Sequence, residues 1–317
     1  MGNLSENIVF SLNTSFPLLL LMLLGVLLKK KRIVNDEYIS TTNKLLFYIA
    51  GPALIISNLL GADINTSFDI KLVLYTHLLL LVSFVFVWIL SSFFIKDKLE
   101  LGGFVHGIYR SNFGYVGIPL LMLFFSEQVS AKAAVVQSLT MPFVNILAVI
   151  LLASCANDKR SDFRGTLRYI LVNPLILAAV AAMILAVIPY KLPQYFLRTT
   201  YILAQLAFPL ALISIGASFN IESIKKTFKL ALLGSIIKLA AIPVVGVIGA
   251  FYFGIRGTDL AIIFLFGASP SAINSYIMTR DMGCDYELGA NVIMVSTLLS
   301  AFTIFTGMYI LKSNAFF

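Results

Sequence analysis

Charged side chains are scarce in this chain of 317 residues. Lysine, arginine, aspartate and glutamate together make up 12% of the residues, whereas hydrophobic residues make up 59%. A soluble globular domain carries about 25% charged residues. The shortage of charge excludes an ordinary soluble core and indicates an integral membrane protein.

Cysteine is almost absent as well. Cys155 and Cys284 are the only two in the sequence, and they form neither a CxxC pattern nor a Cys/His cluster. Both fall near predicted cytoplasmic ends of apolar runs, where disulfides are rare. No hydrolase elbow, HExxH, P-loop or dinucleotide-binding glycine pattern occurs in a suitable context. We therefore expect no structural metal site, no cofactor and no enzymatic activity.

Long apolar runs are what the sequence has instead. A helix that crosses a membrane needs about 20 apolar residues. The first run has no basic region before it and a basic stretch after it, at residues 29–32, which predicts an uncleaved helix rather than a signal peptide. We predict ten spans over residues 8–28, 38–60, 71–95, 102–125, 131–153, 168–188, 196–218, 229–253, 258–280 and 287–311.

Basic residues are distributed unevenly between the predicted loops. Fourteen lie in the odd-numbered loops and five in the even-numbered loops. The positive-inside rule therefore predicts that the odd loops are cytoplasmic and that both termini lie outside a plasma membrane. This topology accounts for the net charge of +8 without a nucleic-acid partner.

Proline positions repeat between the two halves of the chain. Pro17 and Pro52 are 35 residues apart, and so are Pro174 and Pro209. Five spans per half is an odd number, so the second half must enter the membrane in the opposite direction. We predict an all-α membrane protein with a 5+5 inverted repeat, in which residues 1–156 form the first repeat and residues 168–312 the second.

Glycine and proline interrupt predicted spans four and nine. The interruptions read RSNFGYVGIP at residues 110–119 and FGASPSAIN at residues 266–274, at matching places in the two halves. Irregular backbone at membrane depth persists only where protein or a water-filled cavity satisfies its polar groups, and paired broken helices mark substrate sites in carriers. We predict that the two spans cross. We expect Ser269 and Pro270 to start one second half-helix and Pro119 to start the other.

Acidic residues are missing from the middle of every predicted span, but two cations are present there. Arg110 lies about eight residues into span four and Lys238 about nine residues into span eight, whereas Lys44 lies nearer a span end and is expected to snorkel. A charge at mid-membrane marks a functional site, unless it is paired with backbone carbonyls as a structural group. With two positively polarised helix N-termini, these cations predict an anion site, and they disfavour simple cation exchange.

The candidate ligands lie in and beside the two interruptions. Asparagine and serine offer hydrogen-bond donors and acceptors there, although each also suits an interhelical contact. The substrate-binding candidates are Arg110, Asn112, Gly117, Pro119, Lys238, Ser269, Pro270, Ser271 and Asn274, with Ser275 beside them. Candidates of second rank are Asn58, Asn145, Asn291 and Ser296.

Two histidines complete the set of titratable groups. His77 and His106 are not at metal-ligand spacing, so a structural or interfacial role is the simpler interpretation of each. Proton coupling through His106, four residues before Arg110, is the alternative. Lys238 is a second candidate for exchanging a proton during transport.

Six motifs together resemble the auxin efflux carrier family, and the resemblance extends over essentially all ten spans. It implies crossed, proline-broken helices four and nine and a 5+5 inverted repeat. It also implies elevator-type movement of a transport domain (spans 3–5 and 8–10) against a scaffold (spans 1, 2, 6 and 7), and commonly a homodimer. By position, Asn112, Pro119 and Pro270 would line the crossover. The motifs are RSNFGYVGIP (110–119), GPAL (51–54), FPLALISIG (208–216), KLAAIP (238–243), SPSA (269–272) and STLLS (296–300).

The chain lacks the long central cytoplasmic loop that plant members often have, so the resemblance points to the bacterial branch of malate and malonate permeases. Arg110 beside Asn112 favours a dicarboxylate. We predict a secondary active transporter of small organic anions, whose coupling ion is left open with the proton as one candidate. The alternatives are a carrier like the bile-acid/sodium symporters, whose expected acidic residues are not evident, and a membrane ligand sensor without transport.

Overall fold

The computed structural model describes residues 20–60, 68–156, 171–187, 192–217, 221–314 and 316. Within these ranges the protein is α-helical, and one short antiparallel β bridge joins Ser111 to Ser271. The greater part of the first predicted span lies outside the described residues.

Fourteen helices follow one another along the described part of the chain. Three π-helical turns accompany them: Leu46–Ala50 joins α2 to α3, Phe113–Gly117 leads into α6, and Ile237–Ala241 joins α10 to α11. The helices are α1 (20–30), α2 (Asp36–Leu45), α3 (Gly51–Leu60), α4 (Ile70–Phe94), α5 (Lys98–Tyr109), α6 (Ile118–Phe124), α7 (Glu127–Cys155), α8 (Pro174–Val187), α9 (Gln194–Ala217), α10 (Ile221–Ile236), α11 (Ile242–Tyr252), α12 (Thr258–Ala268), α13 (Ile273–Asp281) and α14 (Tyr286–Ser313).

Six continuous helical segments in the described ranges are long and apolar enough to cross a membrane, and they overlap predicted spans two, three, five, seven, eight and ten. Predicted spans four and nine are each divided into two short helices, α5 with α6 and α12 with α13. The chain is therefore a multi-pass helical membrane protein, and the count of ten spans and the inverted repeat stay predictions. The six segments are Asp36–Ser57, Ile70–Phe94, Gln128–Cys155, Gln194–Ala217, Thr227–Tyr252 and Tyr286–Ser313.

Each π-helical turn stands directly before a residue that precedes proline. The amide of Gly51 bonds to the carbonyl of Leu46, and Ile118 and Ile242 make the same five-residue bond. Proline has no N–H and its ring clashes with the carbonyl four residues earlier, so the helix widens by one residue ahead of it. The same turn therefore precedes the prolines at positions 52, 119 and 243.

Helices α1 and α9 cross at backbone contact. A Cβ atom placed on Gly216 would lie 1.8 Å from the carbonyl oxygen of Met22, and one placed on Gly25 would lie 2.2 Å from that of Ile213. Small residues allow such close approach between membrane helices, whose association depends on packing rather than on the hydrophobic effect. This contact joins predicted spans one and seven.

Acidic residues cap several of the helices, which explains why these residues lie at the ends of predicted spans. The carboxylate of Asp69 accepts a hydrogen bond from the amide of Leu72 at the start of α4. Asp97 caps α5 and Asp285 caps α14 in the same way. A carboxylate at a helix N-terminus satisfies free amides and complements the helix dipole.

Candidate functional site

The two interruptions meet through their backbones. The amide of Asn112 donates to the carbonyl of Pro270 at 2.8 Å, and the amide of Ala272 donates to the carbonyl of Arg110 at 3.0 Å, on either side of the Ser111–Ser271 bridge. In hydrocarbon, backbone groups released by breaking a helix must find partners within the protein. Each interruption supplies those partners to the other, so the predicted crossing of the two broken spans is observed.

The half-helices begin at other residues than the sequence predicts. Ser269 ends α12 instead of starting α13, because its hydroxyl donates back to the carbonyl of Leu265 at 2.7 Å. Residues 269–272 are extended, and α13 starts at Ile273 without a side-chain cap. The prediction that Ser269 caps this half-helix and Pro270 opens it is therefore wrong. The physical reason is that a residue before proline favours extended backbone.

The half-helix after the first interruption begins close to its predicted start. Pro119 is the second residue of α6, as expected for a proline in the first helical turn. The helical path nevertheless begins earlier, at Phe113, because the π-helical turn Phe113–Gly117 runs directly into α6. The break in span four is therefore confined to residues 110–112.

The serines of the second interruption hold the backbone in place. The hydroxyl of Ser271 donates to the carbonyl of Gly107, and its amide donates to the hydroxyl of Ser296 at 3.1 Å. Ser275 donates to the carbonyl of Ala272 at 2.5 Å. These hydroxyl protons are engaged within the protein, and contact of these serines with substrate stays a prediction.

Two asparagines retain side chains that are available to a ligand. Asn112 is buried directly before the π-helical turn Phe113–Gly117, and Asn274 is half-buried in the first turn of α13. Neither amide makes a side-chain hydrogen bond to another described residue, although the backbone of Asn112 takes part in the crossing. An asparagine amide offers two donors and one acceptor, which suits a carboxylate or a hydroxyl of a small substrate.

The guanidinium of Arg110 is enclosed by neutral groups. Its exposed fraction is 2%, and it donates to the amide oxygen of Asn145 at 2.8 Å and to the sulfur of Met278 at 3.1 Å. Asn145 comes from α7 and Met278 from α13, so Arg110 joins both to the end of α5. A thioether is a weak acceptor, so the positive charge is only partly satisfied by this shell.

The ammonium of Lys238 lies against the other interruption. Its nitrogen donates to the carbonyl oxygen of Gly267 at 2.9 Å, and the residue is 1% exposed. Gly267 itself is required by close packing, since a Cβ atom there would lie 2.9 Å from the Cα atom of Pro243. Lys238 is thus paired with a backbone carbonyl, and its contact with substrate stays a prediction.

The ion pairs found among the described residues lie away from the crossing. The ammonium nitrogen of Lys29 lies 2.5 Å from a carboxylate oxygen of Asp36. The ammonium nitrogen of Lys132 lies 2.7 Å from a carboxylate oxygen of Asp69 and 2.7 Å from one of Asp259. Within the same ranges no carboxylate contacts Arg110 or Lys238. The crossing therefore has two buried basic side chains next to it, and their contacts among the described residues are with neutral groups.

Gly117 lies in a crowded place between its own π-helical turn and the second interruption. A Cβ atom on it would lie 2.1 Å from the ring of Phe113 and 2.9 Å from the hydroxyl oxygen of Ser269. Its position therefore has a packing reason, and contact with substrate stays a prediction. The side chains of Pro119 and Asn58 lie outside the described residues.

The two histidines are held by local contacts. His106 is fully buried, and its Nδ1 lies 2.9 Å from the hydroxyl of Thr279. The Nδ1 of His77 lies 2.8 Å from the carbonyl oxygen of Val73 in its own helix. These contacts agree with a structural role for each, and a role of His106 in proton coupling stays a prediction.

A polar seam joins α2 to α13, and no sequence pattern indicated it. The hydroxyl of Tyr276 accepts a hydrogen bond from Arg280 at 2.9 Å, and the amide nitrogen of Asn43 lies 3.5 Å away. The guanidinium of Arg280 also lies 4.8 Å from the ring centre of Tyr286. The seam connects predicted span two with predicted span nine.

Comparison with known proteins identifies the family of this chain. The model of the membrane transport protein family matches residues 10–163 and 158–308. The chain belongs to this family. The family is auxin efflux carrier-like, so the resemblance stated from the sequence motifs is confirmed.

Relatives within the membrane transport family are distant but match along almost their full lengths. The transporter MJ1031 of Methanocaldococcus jannaschii is 22% identical over 90% of this chain and 94% of its own length. A protein of Rhizobium meliloti named "Putative malonate transporter" is 24% identical over 94% of this chain and 95% of its own. Among solved structures, the sodium proton antiporter MjNhaP1 of Methanocaldococcus jannaschii shares the fold, with a TM-score of 0.56 and 15% sequence identity. The match covers 95% of this chain and 97% of the antiporter chain.

Proposed function

We propose that this member of the membrane transport family is a secondary active transporter of small organic anions. The observation that carries the proposal is the crossing of two broken helices beside Arg110 and Lys238, whose charges are partnered by neutral groups alone among the described residues. Buried cations without carboxylate partners favour an anion and repel a cation. The proposed substrate class follows from that sign of charge.

The candidate binding groups divide into two kinds. Asn112 and Asn274 supply amides that the described residues leave free, one from each interruption. Arg110 and Lys238 supply positive charge close to the two interruptions. A carboxylate at the crossing thus receives directional hydrogen bonds from the amides and long-range stabilisation from the two cations.

Malonate and malate are the dicarboxylates that we place first among substrates. The name of the Rhizobium meliloti relative gives malonate as the substrate of that protein. Arg110 lies two residues from Asn112, so a second carboxylate has a cation nearby. A bidentate guanidinium suits this role better than a lysine does.

The proposed mechanism is elevator-type alternating access. In this arrangement spans 3–5 and 8–10 move as a transport domain against a scaffold of spans 1, 2, 6 and 7, within a ten-span inverted repeat in the plasma membrane. Two observations support the division: α1 and α9 pack at backbone contact, and the polar seam joins α2 to α13 across the proposed boundary. A homodimer built on the scaffold and a proton as coupling ion belong to the proposal as well.

Counterflow in proteoliposomes tests the function directly. Vesicles containing the purified chain are loaded with unlabelled malonate, and uptake of labelled mono- and dicarboxylates is measured with and without a proton or sodium gradient. We expect uptake of at least one carboxylate above that of empty vesicles. Flux of cations or neutral solutes in the absence of any anion flux would overturn the substrate class, and binding without flux would favour a sensor. A strict requirement for sodium would favour the carrier related to bile-acid symporters.

A further inference from the structure

One buried polar atom in the side chain that contacts Arg110 has no hydrogen-bond partner among the described residues: the amide nitrogen of Asn145. Asn145 is 0% exposed, so water outside the protein does not reach its amide. Buried polar groups are almost always paired, and an unpaired one points to an unseen ion, water or ligand.

The orientation of the Asn145 amide follows from its neighbour. Its oxygen accepts the hydrogen bond from Arg110 at 2.8 Å, and exchanging oxygen and nitrogen would set two donors against each other. The amide nitrogen is therefore an unused donor on the same side-chain group that contacts the guanidinium. The charged guanidinium of Arg110 and the amide nitrogen of Asn145 are thus neighbouring hydrogen-bond donors.

The charge balance of this place favours a negative ligand. The side-chain contacts of Arg110 are an amide oxygen and a thioether sulfur, both uncharged. A guanidinium is weakly hydrated and forms strong hydrogen bonds with anions, which makes it suited to a closed, dry site.

We propose that Arg110 and Asn145 form a buried anion subsite between α5, α7 and α13. The subsite takes a single negatively charged group that accepts N–H donors. Two sources share this chemistry: the second carboxylate of a dicarboxylate cargo, which rests on the proposed function, and a small resident anion such as chloride. In either case Asn145 is a specificity-determining residue.

Asn145→Asp tests the subsite without leaving Arg110 unpaired. The new carboxylate supplies the missing negative charge from within the protein, so it removes the need for an external anion and repels one. Asn173→Asp is the matched control. Asn173 is also buried with an unpartnered amide nitrogen, but its oxygen caps α8 by accepting from Leu175 and Ile176, a role that aspartate performs equally well.

The measurement is the thermal melting of the purified full chain in detergent at constant ionic strength. One arm compares malonate with acetate, and the other compares chloride with gluconate. We expect the wild type and Asn173→Asp to be stabilised by malonate over acetate if the ligand is the cargo, or by chloride over gluconate if it is a resident anion. Asn145→Asp should melt no lower than the wild type without anions and should lose the response, with at least about tenfold weaker apparent affinity.

Two results would overturn the subsite: a response in Asn145→Asp equal to that of the wild type, or no response of the wild type to any of the four anions. The counterflow assay keeps this test separate from the proposed function. Intact anion responses without carboxylate flux in the wild type would remove the function and leave the subsite. Carboxylate flux in the wild type, with identical anion responses in the wild type and Asn145→Asp, would remove the subsite and leave the function.

Discussion

Lys238 donates a hydrogen bond of 2.9 Å to the carbonyl oxygen of Gly267, in the last turn of α12. The C-terminal end of a helix carries partial negative charge, so the ammonium neutralises it. Lys238 comes from the π-helical turn between α10 and α11, which places a cation from one predicted span at the broken end of another. The Lys238 side chain thereby connects predicted span eight to the end of the first half of predicted span nine.

Replacing Lys238 by methionine should weaken anion binding strongly. The substitution keeps most of the side-chain volume but removes the charge and leaves the Gly267 carbonyl without its donor. The carboxylate loses the attraction of one of the two buried cations beside the crossing, so we expect a loss of affinity on the order of tenfold. Counterflow as a function of carboxylate concentration measures the loss of affinity.

Lys44→Met is the control for this variant, since Lys44 is exposed. It should transport like the wild type, and an equal loss in both variants would refute a specific role for Lys238. The pH profile of uptake in Lys238→Ala tests proton exchange through this residue. A profile identical to that of the wild type would rule that role out.

Arg110→Ala should affect dicarboxylates more than monocarboxylates. The substitution removes the guanidinium that contacts Asn145 and Met278 next to the first interruption. A dianion loses one charge partner, whereas a monoanion still has Lys238 and the free amides. Competition by malonate and acetate against one labelled substrate gives the ratio of affinities. Equal losses for both would count against a dicarboxylate site.

Gly117→Ala should destabilise the crossing, whereas Gly114→Ala should be tolerated. A Cβ atom at position 117 would lie 2.1 Å from the Phe113 ring, but one at position 114 would meet Gln137 at the ordinary distance of 3.7 Å. Overpacking of this kind typically costs about 1–3 kcal/mol. Melting temperatures of the two purified variants provide the comparison. Equal melting temperatures would show that position 117 has room for a methyl group.

Cross-linking α2 to α13 should stop transport if the elevator mechanism holds. Asn43 and Tyr276 lie on opposite sides of the polar seam, with 3.5 Å between the amide nitrogen and the hydroxyl. The pair Asn43→Cys and Tyr276→Cys, joined by a bifunctional thiol reagent, would fix the proposed transport domain to the scaffold. Counterflow before and after treatment measures the effect.

A second pair controls for cross-linking itself. The amide of Asn291 donates to the hydroxyl of Thr227 at 2.8 Å, and both residues belong to the proposed transport domain. A cross-link between cysteines at these positions should leave counterflow intact. Full activity of the cross-linked seam pair would contradict movement between α2 and α13.

The ion triad of Lys132 with Asp69 and Asp259 predicts a loss of stability in acid. Burial by itself would raise the pKa of Asp69, but hydrogen bonds from Lys132 and from the amide of Leu72 lower it overall. A carboxylate whose pKa is lowered by folding stabilises the protein above its unfolded pKa of about 3.9, and that contribution is lost as the pH falls through the folded value.

Asp69→Asn keeps a good helix cap and removes the titration. Its melting temperature should therefore fall less than that of the wild type between about pH 5 and pH 3. Asp97→Asn, at another helix cap, serves as the control. An identical decline in Asp69→Asn and the wild type would exclude a contribution of this triad to acid stability.

Much of the local structure could be predicted from the sequence because it depends on composition and on proline. Apolar runs of the right length predicted the six membrane-crossing segments, and the prolines at 119 and 270 predicted interrupted spans at the observed places. The exact start of α13 could not be predicted. Ser269 is a good helix start by residue type, but its hydroxyl bonds backwards to Leu265.

The partners of the buried polar groups were less predictable. Arg110 and Lys238 were evident from the sequence as charges in apolar surroundings, whereas Asn145 ranked second and Ser111, Tyr276 and Thr279 gave no signal. Asn145 meets Arg110 across 35 positions of sequence, and Thr279 meets His106 across 173. Such pairings depend on how helices pack, and no local pattern encodes them.

The sequence by itself determined that this protein resides in a membrane, where its helices break, and that its mid-membrane charges are positive, because hydropathy, proline chemistry and residue type are local properties. Only the tertiary structure decided that the two breaks bond to each other, that Lys238 caps α12, and that Arg110 shares an amide with Asn145. Hydrogen bonds between distant segments have directions and distances that exist only once the helices are packed.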